Sequence, residues 1–373
     1  MAVAACPVPG PRRCSTRHAA GRGSRQTGPM TSWFSNPAAR RWTPADATGG
    51  ARDFHRSLPG YAPSPLADLP ALAEELGVGR VLVKDESSRL GLPAFKILGA
   101  SWACRQVLDR FPGAELVTAT DGNHGRAVAR TARELGATAT IFVPALMPAS
   151  TSALVEGEGA RVVRVEGDYD DAVRAAAHHA TAADDRALVQ DTAWEGYEDV
   201  PGWIVEGYRT MVEEVDEQLG RRPDLVAVPV GVGSLAQAVV SHYRTAPHSF
   251  QTTRVLSVEP DTAACLLASL RDGTPTSVPT AGTVMAGMNC GTVSALAWPV
   301  LRDGCDAAVA VTDEQALTAS RDLRELGVSS GPCGAATLAG ARAALDDPSR
   351  RADLALPPDA VVVLLSTEGL DAA

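Results

Sequence analysis

The sequence predicts an α/β fold of open, mostly parallel sheets covered by helices, and three observations carry that prediction. From residue 80 onward, short β-branched runs alternate with segments of helical period, the pattern of a parallel sheet with helices on its faces. Turns containing Gly, Asn, Asp or Ser follow several of these runs, at the carboxyl ends of strands where such sheets present ligands. The chain has 373 residues and is 45% hydrophobic, enough to bury a large core divided between two domains.

The elements follow in chain order. Residues 1–30 hold five arginines, three prolines before position 12 and no acidic residue, so they read as a disordered leader. Their prolines and glycines spoil the amphipathic helix of a transit peptide, and translation from Met30 is the simpler expectation. The packed chain is expected to begin near Trp33. Strands are expected at 80–85, 115–120, 138–143, 161–166, 187–191, 224–230, 254–259, 307–312 and 360–366. Between them, Asn123–Gly136 places Ala127, Val128, Thr131, Ala132 and Leu135 on one helical face and stops at Gly136. The 168–185 run is a second such helix, with acidic residues in its first turn where they complement the helix dipole.

Composition narrows the function. A formal charge of −10 argues against nucleic acid as a partner, since phosphate reading needs a concentrated positive field. A small metabolite fits better. No apolar run approaches the ~20 residues that span a bilayer, so no membrane association is expected. Seven cysteines lie far apart with no Cys-x-x-Cys pair, which indicates neither a metal site nor a disulfide scaffold and fits a reducing cytoplasm. Cys265 and Cys290 fall in neighbouring stretches, but spacing alone establishes no bridge.

Lys96 is the most informative residue, because it is one of two lysines among 34 basic residues. Arginine cannot form a Schiff base, whereas a partly buried lysine can become a nucleophile toward an aldehyde. Lys96 sits between Phe95 and Ile97 just after the turn Leu90-Gly91-Leu92-Pro93, so its base is expected to be shielded from water. That setting points to pyridoxal phosphate. The other lysine, Lys84, precedes Asp85 and Glu86 and reads as ion-paired and structural.

Gly231-Val232-Gly233-Ser234-Leu235 follows one strand and opens a helix, where backbone N–H groups converge on an anion. Taken alone it reads equally as a phosphate cradle, a dinucleotide site with Glu259 as the ribose-binding acid, or a tight turn. With Lys96, a single-phosphate cradle is the preferred reading. In Thr120-Asp121-Gly122-Asn123-His124, Asn123 either caps a helix or donates to the 3′-oxygen of the cofactor. Asp121 is a second capping group or a base and ammonium partner, and His124 is a packing residue. Asp191 follows another strand, flanked by aromatics. Ser366 ends an apolar strand and offers a hydroxyl to the pyridine nitrogen, with Thr367 as a substitute; a hydroxyl there suits β-elimination over transamination.

These segments together resemble the pyridoxal-phosphate enzymes of the tryptophan-synthase β-like fold and, within them, the diaminopropionate ammonia-lyases. Ala94-Phe95-Lys96 resembles the Schiff-base segment, Thr120 to Arg126 a Thr-Asp-Gly-Asn-His-Gly-Arg motif, and Gln190 to Tyr197 a Gln-Asp-Thr-Ala-Trp-Glu-Gly-Tyr signature. Met285-Ala286-Gly287-Met288 and Ser366-Thr367-Glu368-Gly369 extend the likeness. Ser330-Gly331-Pro332-Cys333-Gly334 departs from it, replacing a Ser-Gly-Glu-Ser-Gly type segment. The resemblance implies a large domain from 31–97 and 207–373, a small domain from 98–206, and a homodimer. It implies conversion of D- or L-2,3-diaminopropionate to pyruvate and ammonia. Lys96, Asp121 and Asp191 would be catalytic, with Thr120, Asp121 and Asp191 at the substrate. A serine/threonine dehydratase or D-amino-acid β-eliminase is the alternative; the dehydratases resemble Ser-Ala-Gly-Asn-His where Asp121 stands.

Overall fold

The computed structural model describes residues 32–44, 49–120, 122–245 and 253–370. The leader and Asp121 therefore lie outside the described residues. Eleven strands among the described residues form two sheets. Strands β1 (Trp33–Ser35), β2 (Leu66–Asp68), β3 (Arg80–Asp85), β8 (Leu225–Pro229), β9 (Arg254–Pro260), β10 (Ala307–Val311) and β11 (Val361–Ser366) make the larger, in the order β1-β10-β9-β8-β11-β3-β2. Strands β4 (Glu115–Ala119), β5 (Ala139–Pro144), β6 (Arg161–Val165) and β7 (Arg186–Leu188) make the smaller, in the order β6-β5-β4-β7. The expected α/β class with mostly parallel sheets is what the chain adopts.

The nine expected strands all form. In β11 every residue of Val-Val-Val-Leu-Leu-Ser is buried, because helices cover both faces of a parallel sheet and leave no polar alternation. The two unexpected strands, β1 and β2, are antiparallel edges of three residues each, too short to show a period. Strand β7 stops at Leu188, short of the expected 191. Val189 N–H still donates to Val117 O (2.7 Å), but one residue on the Gln190 side chain takes over the ladder. Its Oε1 accepts from Ala119 N–H (3.0 Å) and Thr118 Oγ1 (2.9 Å), satisfying the end of β4 without a backbone partner. Asp191 is thereby released from the sheet.

The helix Asn123–Glu134 ends as expected, with Gly136 in the left-handed region. The helix Tyr169–Thr181 is capped by Asp168 and Asp171 in a reciprocal box, and stops four residues before Asp185. The helix carrying Lys96 (Lys96–Arg110) crosses the 21-residue helix Asp199–Leu219 at close range: a Cβ on Gly207 would lie 2.4 Å from Leu98 O. This contact seats the Lys96 end of one helix against Tyr208 of the other. No helix among the described residues is long and apolar enough to cross a membrane.

Candidate active site

Four strand ends converge on the rim between the two sheets. Thr120 follows β4, Asp191 follows β7, Gly231 follows β8, and Ser366 closes β11. Lys96 joins them through its hairpin: Phe95 N–H donates to Thr367 O (3.1 Å), and Ala94 pairs antiparallel with Glu368. The order of the elements in the sheets, not their distance in sequence, brings these residues together.

Lys96 is the first residue of its helix, the end where the macrodipole repels a cation, so helix stability does not account for a lysine there. Its Nζ donates to Asp191 Oδ2 at 2.7 Å. The side chains of Lys96 and Asp191 are 23% and 10% exposed, a sheltered pair that still opens to the cleft. Burial alone would lower the lysine's pKa, yet the Asp191 charge prevails and raises it above the ordinary range. Burial would raise the Asp191 carboxyl, and the Lys96 charge instead holds it well below the usual range. Tyr208 lies behind the pair, its phenol pushed up by burial and its ring 4.7 Å from that of Phe95.

The Gly231–Leu235 segment has the geometry of an anion cradle. Gly233 has φ +100° and caps the helix Ser234–Arg244, whose first-turn N–H groups have no intrahelical acceptor. A Cβ on Gly231 would meet Gly287 O at 3.0 Å and Cys290 Sγ at 3.1 Å, so the Met285-Ala286-Gly287-Met288 segment walls the cradle and a side chain there would crowd it. Ser234 Oγ donates to Asp191 O (2.9 Å), and Ser294 N–H donates to Val232 O (2.8 Å) while Ala193 N–H donates to Ser294 Oγ (3.2 Å). These bonds tie the cradle to the Asp191 loop. The dinucleotide reading does not survive: the Glu259 carboxylate is buried and accepts from Leu266 and Leu267 N–H, each at 2.7 Å, so it caps a helix and faces no ribose.

Other expectations are corrected or completed. Asn123 does not cap its helix; Gly122 holds the cap position, and Asn123 Nδ2 donates to Glu368 Oε2 (3.2 Å). Thr120 supplies the turn's stabilising oxygen, its Oγ1 accepting from Gly122 N–H (3.0 Å) and Gly125 N–H (3.1 Å). His124 is buried and neutral, its Nε2–H donating to Val189 O (2.8 Å), with burial pushing its pKa down. Ser366 Oγ is bonded to Ser330 Oγ at 2.7 Å, so two buried hydroxyls stand where one was expected. Cys265 and Cys290 form no disulfide, and both lie beside Gly231. Lys84 is paired not with its sequence neighbours but with Glu214 (2.7 Å), from the helix Asp199–Leu219. Sequence reasoning gave no separate role to Ser330, Tyr208 or Glu368. Glu368 and Ser330 carried a signal, each lying in a segment compared with the family pattern.

Comparison with known proteins gives this geometry a family. The pyridoxal-phosphate dependent enzyme family matches residues 58–368. Diaminopropionate ammonia-lyase of Escherichia coli (strain K12) is 36% identical over 352 residues, covering 86% of this chain and 87% of the relative. The crystal structure of that E. coli enzyme with D-serine superposes with a TM-score of 0.77 at 35% identity, covering 90% of each chain. Its complex with an aminoacrylate-PLP azomethine reaction intermediate gives a TM-score of 0.76 at 34% identity, covering 90% of this chain and 91% of that one. The chain belongs to the diaminopropionate ammonia-lyase family of pyridoxal-phosphate dependent enzymes.

Proposed function

We propose that this chain catalyses the pyridoxal-phosphate-dependent β-elimination of 2,3-diaminopropionate, as the D- or L-isomer, to pyruvate and ammonia. The observation that carries the reading is the Lys96–Asp191 pair, a primary amine and a carboxylate 2.7 Å apart at the mouth of a glycine cradle. The residues fit the cofactor: Lys96 as its covalent anchor, the Gly231–Leu235 cradle for its phosphate, Asn123 for its 3′-oxygen, and Ser366 with Ser330 for its pyridine nitrogen. When bound, pyridoxal phosphate supplies an electron sink for bonds broken at the substrate's Cα.

The chain's own groups do the rest. Beside the bound cofactor, Lys96 would take the α-proton of the L-isomer on its Nζ. Asp121, through the family resemblance, serves the opposite face and the D-isomer, and helps hold or protonate the leaving amine. Asp191 carries negative charge across the neutral range, because the Lys96 charge opposes its protonation, and a carboxylate suits a substrate that bears a second ammonium on Cβ. Thr120 stabilises its turn by accepting from Gly122 and Gly125 N–H. Departure of the β-amine leaves an enamine that tautomerises and hydrolyses, giving pyruvate and a second ammonia. The hydroxyls of Ser366 and Ser330, uncharged, would hold the ring nitrogen in a way that favours elimination over transamination.

This reading extends to organisation. The strands of the smaller sheet fall within 98–206 and those of the larger within 31–97 and 207–373, which supports a small and a large domain with the site between them. A cytoplasmic homodimer completes the proposal.

The test is pyruvate release from D- and L-2,3-diaminopropionate, serine and threonine, for wild type, Lys96→Ala and Asp191→Asn, with the visible cofactor band recorded for each. Diaminopropionate as much the best substrate supports the proposal. Preference for serine or threonine would keep the fold and cofactor and move the enzyme to the dehydratases.

A further inference from the structure

Glu368 is built into the site from four directions. Its backbone pairs with Ala94, two residues before Lys96, and its C=O accepts from Gly331 N–H at 2.9 Å. Its Oε1 accepts from Cys333 N–H (3.4 Å) in the first turn of the helix Pro332–Leu345, where the positive end of the dipole favours an ionised carboxylate. Its Oε2 accepts from Asn123 Nδ2 at 3.2 Å. Gly331 leaves the space for this side chain: a Cβ there would lie 3.0 Å from Glu368 Cγ and 3.1 Å from Oε1.

An asparagine amide has two chemically different ends, and a carboxylate accepts a hydrogen bond only from the NH₂ end. Glu368 therefore fixes which way the Asn123 amide faces. It takes one N–H and leaves the second N–H with a set direction. Asn123 opens the helix that follows β4 of the smaller sheet, while Glu368 follows β11 of the larger, so the bond also ties the two sheets together across the cleft.

We propose that Glu368 is a positioning residue, which orients the Asn123 amide so that its free N–H is presented to the 3′-oxygen of the cofactor. The inference rests on the cofactor assignment above and adds a residue to it. The conservative variant separates orientation from shape. Glu368→Gln keeps the length of the side chain but has its own NH₂ end, so it no longer dictates the amide's direction; Glu368→Ala removes the acceptor.

The experiment is titration of the purified full chain with pyridoxal phosphate, reading cofactor dissociation and the ratio of its visible to near-ultraviolet absorbance bands, which follows the proton at the 3′-oxygen. Glu368→Ala is expected to bind cofactor roughly tenfold more weakly, the scale of one lost charge-assisted hydrogen bond, with a changed band ratio. Glu368→Gln is expected to fall between Ala and wild type. In the double variant with Asn123→Ala, the Glu368 effect should vanish. Wild-type affinity and band ratio in Glu368→Ala, or an undiminished Glu368 effect in the Asn123→Ala background, would overturn the proposal. A chain that shows these spectra yet fails to turn over diaminopropionate would refute the assigned reaction and leave the role of Glu368 standing.

Discussion

The two lysines of this chain sit in opposite electrostatic settings. Lys84 is wholly buried, and its three N–H bonds have three acceptors: Glu214 Oε2 (2.7 Å), Ser64 O (2.8 Å) and Gln218 Oε1 (2.9 Å). Around it Arg89, Glu86 and Glu214 complete a buried network of two cations and two anions. Among the described residues Lys96 donates to Asp191 in front of the Tyr208 phenol, and its side chain reaches the cleft. A fully satisfied, wholly buried ammonium is a structural part, while one that opens to the cleft beside a carboxylate can exchange its partner for a substrate. Ion pairing alone does not tell the two apart. Access to the cleft does.

Substitution at each lysine should separate chemistry from stability. Lys96→Ala is expected to lose the visible cofactor band and to slow pyruvate release on the order of 10³-fold or more, with thermal unfolding little changed. Lys84→Ala should do the reverse, costing about 3–5 kcal/mol because Glu214 and its neighbours lose a buried counter-charge. Equilibrium urea unfolding of both variants checks this, and equal stability loss in the two would break the distinction.

Asp191→Asn removes the acidic partner that Lys96 has among the described residues. Turnover should fall about 10²-fold, and attachment of cofactor at neutral pH should become faster, since the carboxylate raises the pKa of the amine that must lose a proton. Stopped-flow growth of the cofactor band across pH reads this; an unchanged pH dependence would free Asp191 from its assigned role.

The buried network sharpens the comparison through acid. Burial alone would raise the Glu214 carboxyl, but bonds and charge from Arg89 and Lys84 bring it from 4.5 down to about 2. Its folded pKa lies below the unfolded one, so its contribution is full above pH 4.5 and is lost as pH falls towards 2. His55, bonded to Leu98 O and Thr210, is pushed from 6.5 to about 4, chiefly by burial. It binds its proton more readily when unfolded, so its contribution is full above pH 6.5 and fades towards 4. Urea midpoints between pH 7 and 3 should fall in two stages, and His55→Gln should erase the upper one. The smallest expected effect is that of Gly231→Ala, about 1–3 kcal/mol of crowding against Gly287 and Cys290, seen as weaker cofactor binding by titration.

The strands and the cofactor chemistry were legible because each rests on local signals. Val-rich runs announce interior parallel strands, a rare lysine in an apolar turn announces Schiff-base chemistry, and Gly231 with Gly233 announces an anion. Partnerships across the sheets were not legible. Nothing near Lys84 in sequence points to Glu214, 130 residues away. Asn123 has the composition of a cap, and only the arrival of Glu368 beside it shows where its amide goes. Ser330 opened a segment that departs from the family pattern, and only the strand order sets it against Ser366.

The Gln190 side chain that ends the β4–β7 ladder has a second effect. Strand β7 is the outermost of its sheet, and an edge strand is a template on which another chain can stack. By filling the next ladder position with a side chain, Gln190 keeps that edge to three residues. The device that turns Asp191 into the cleft thus also blunts the edge of the sheet against unwanted self-association.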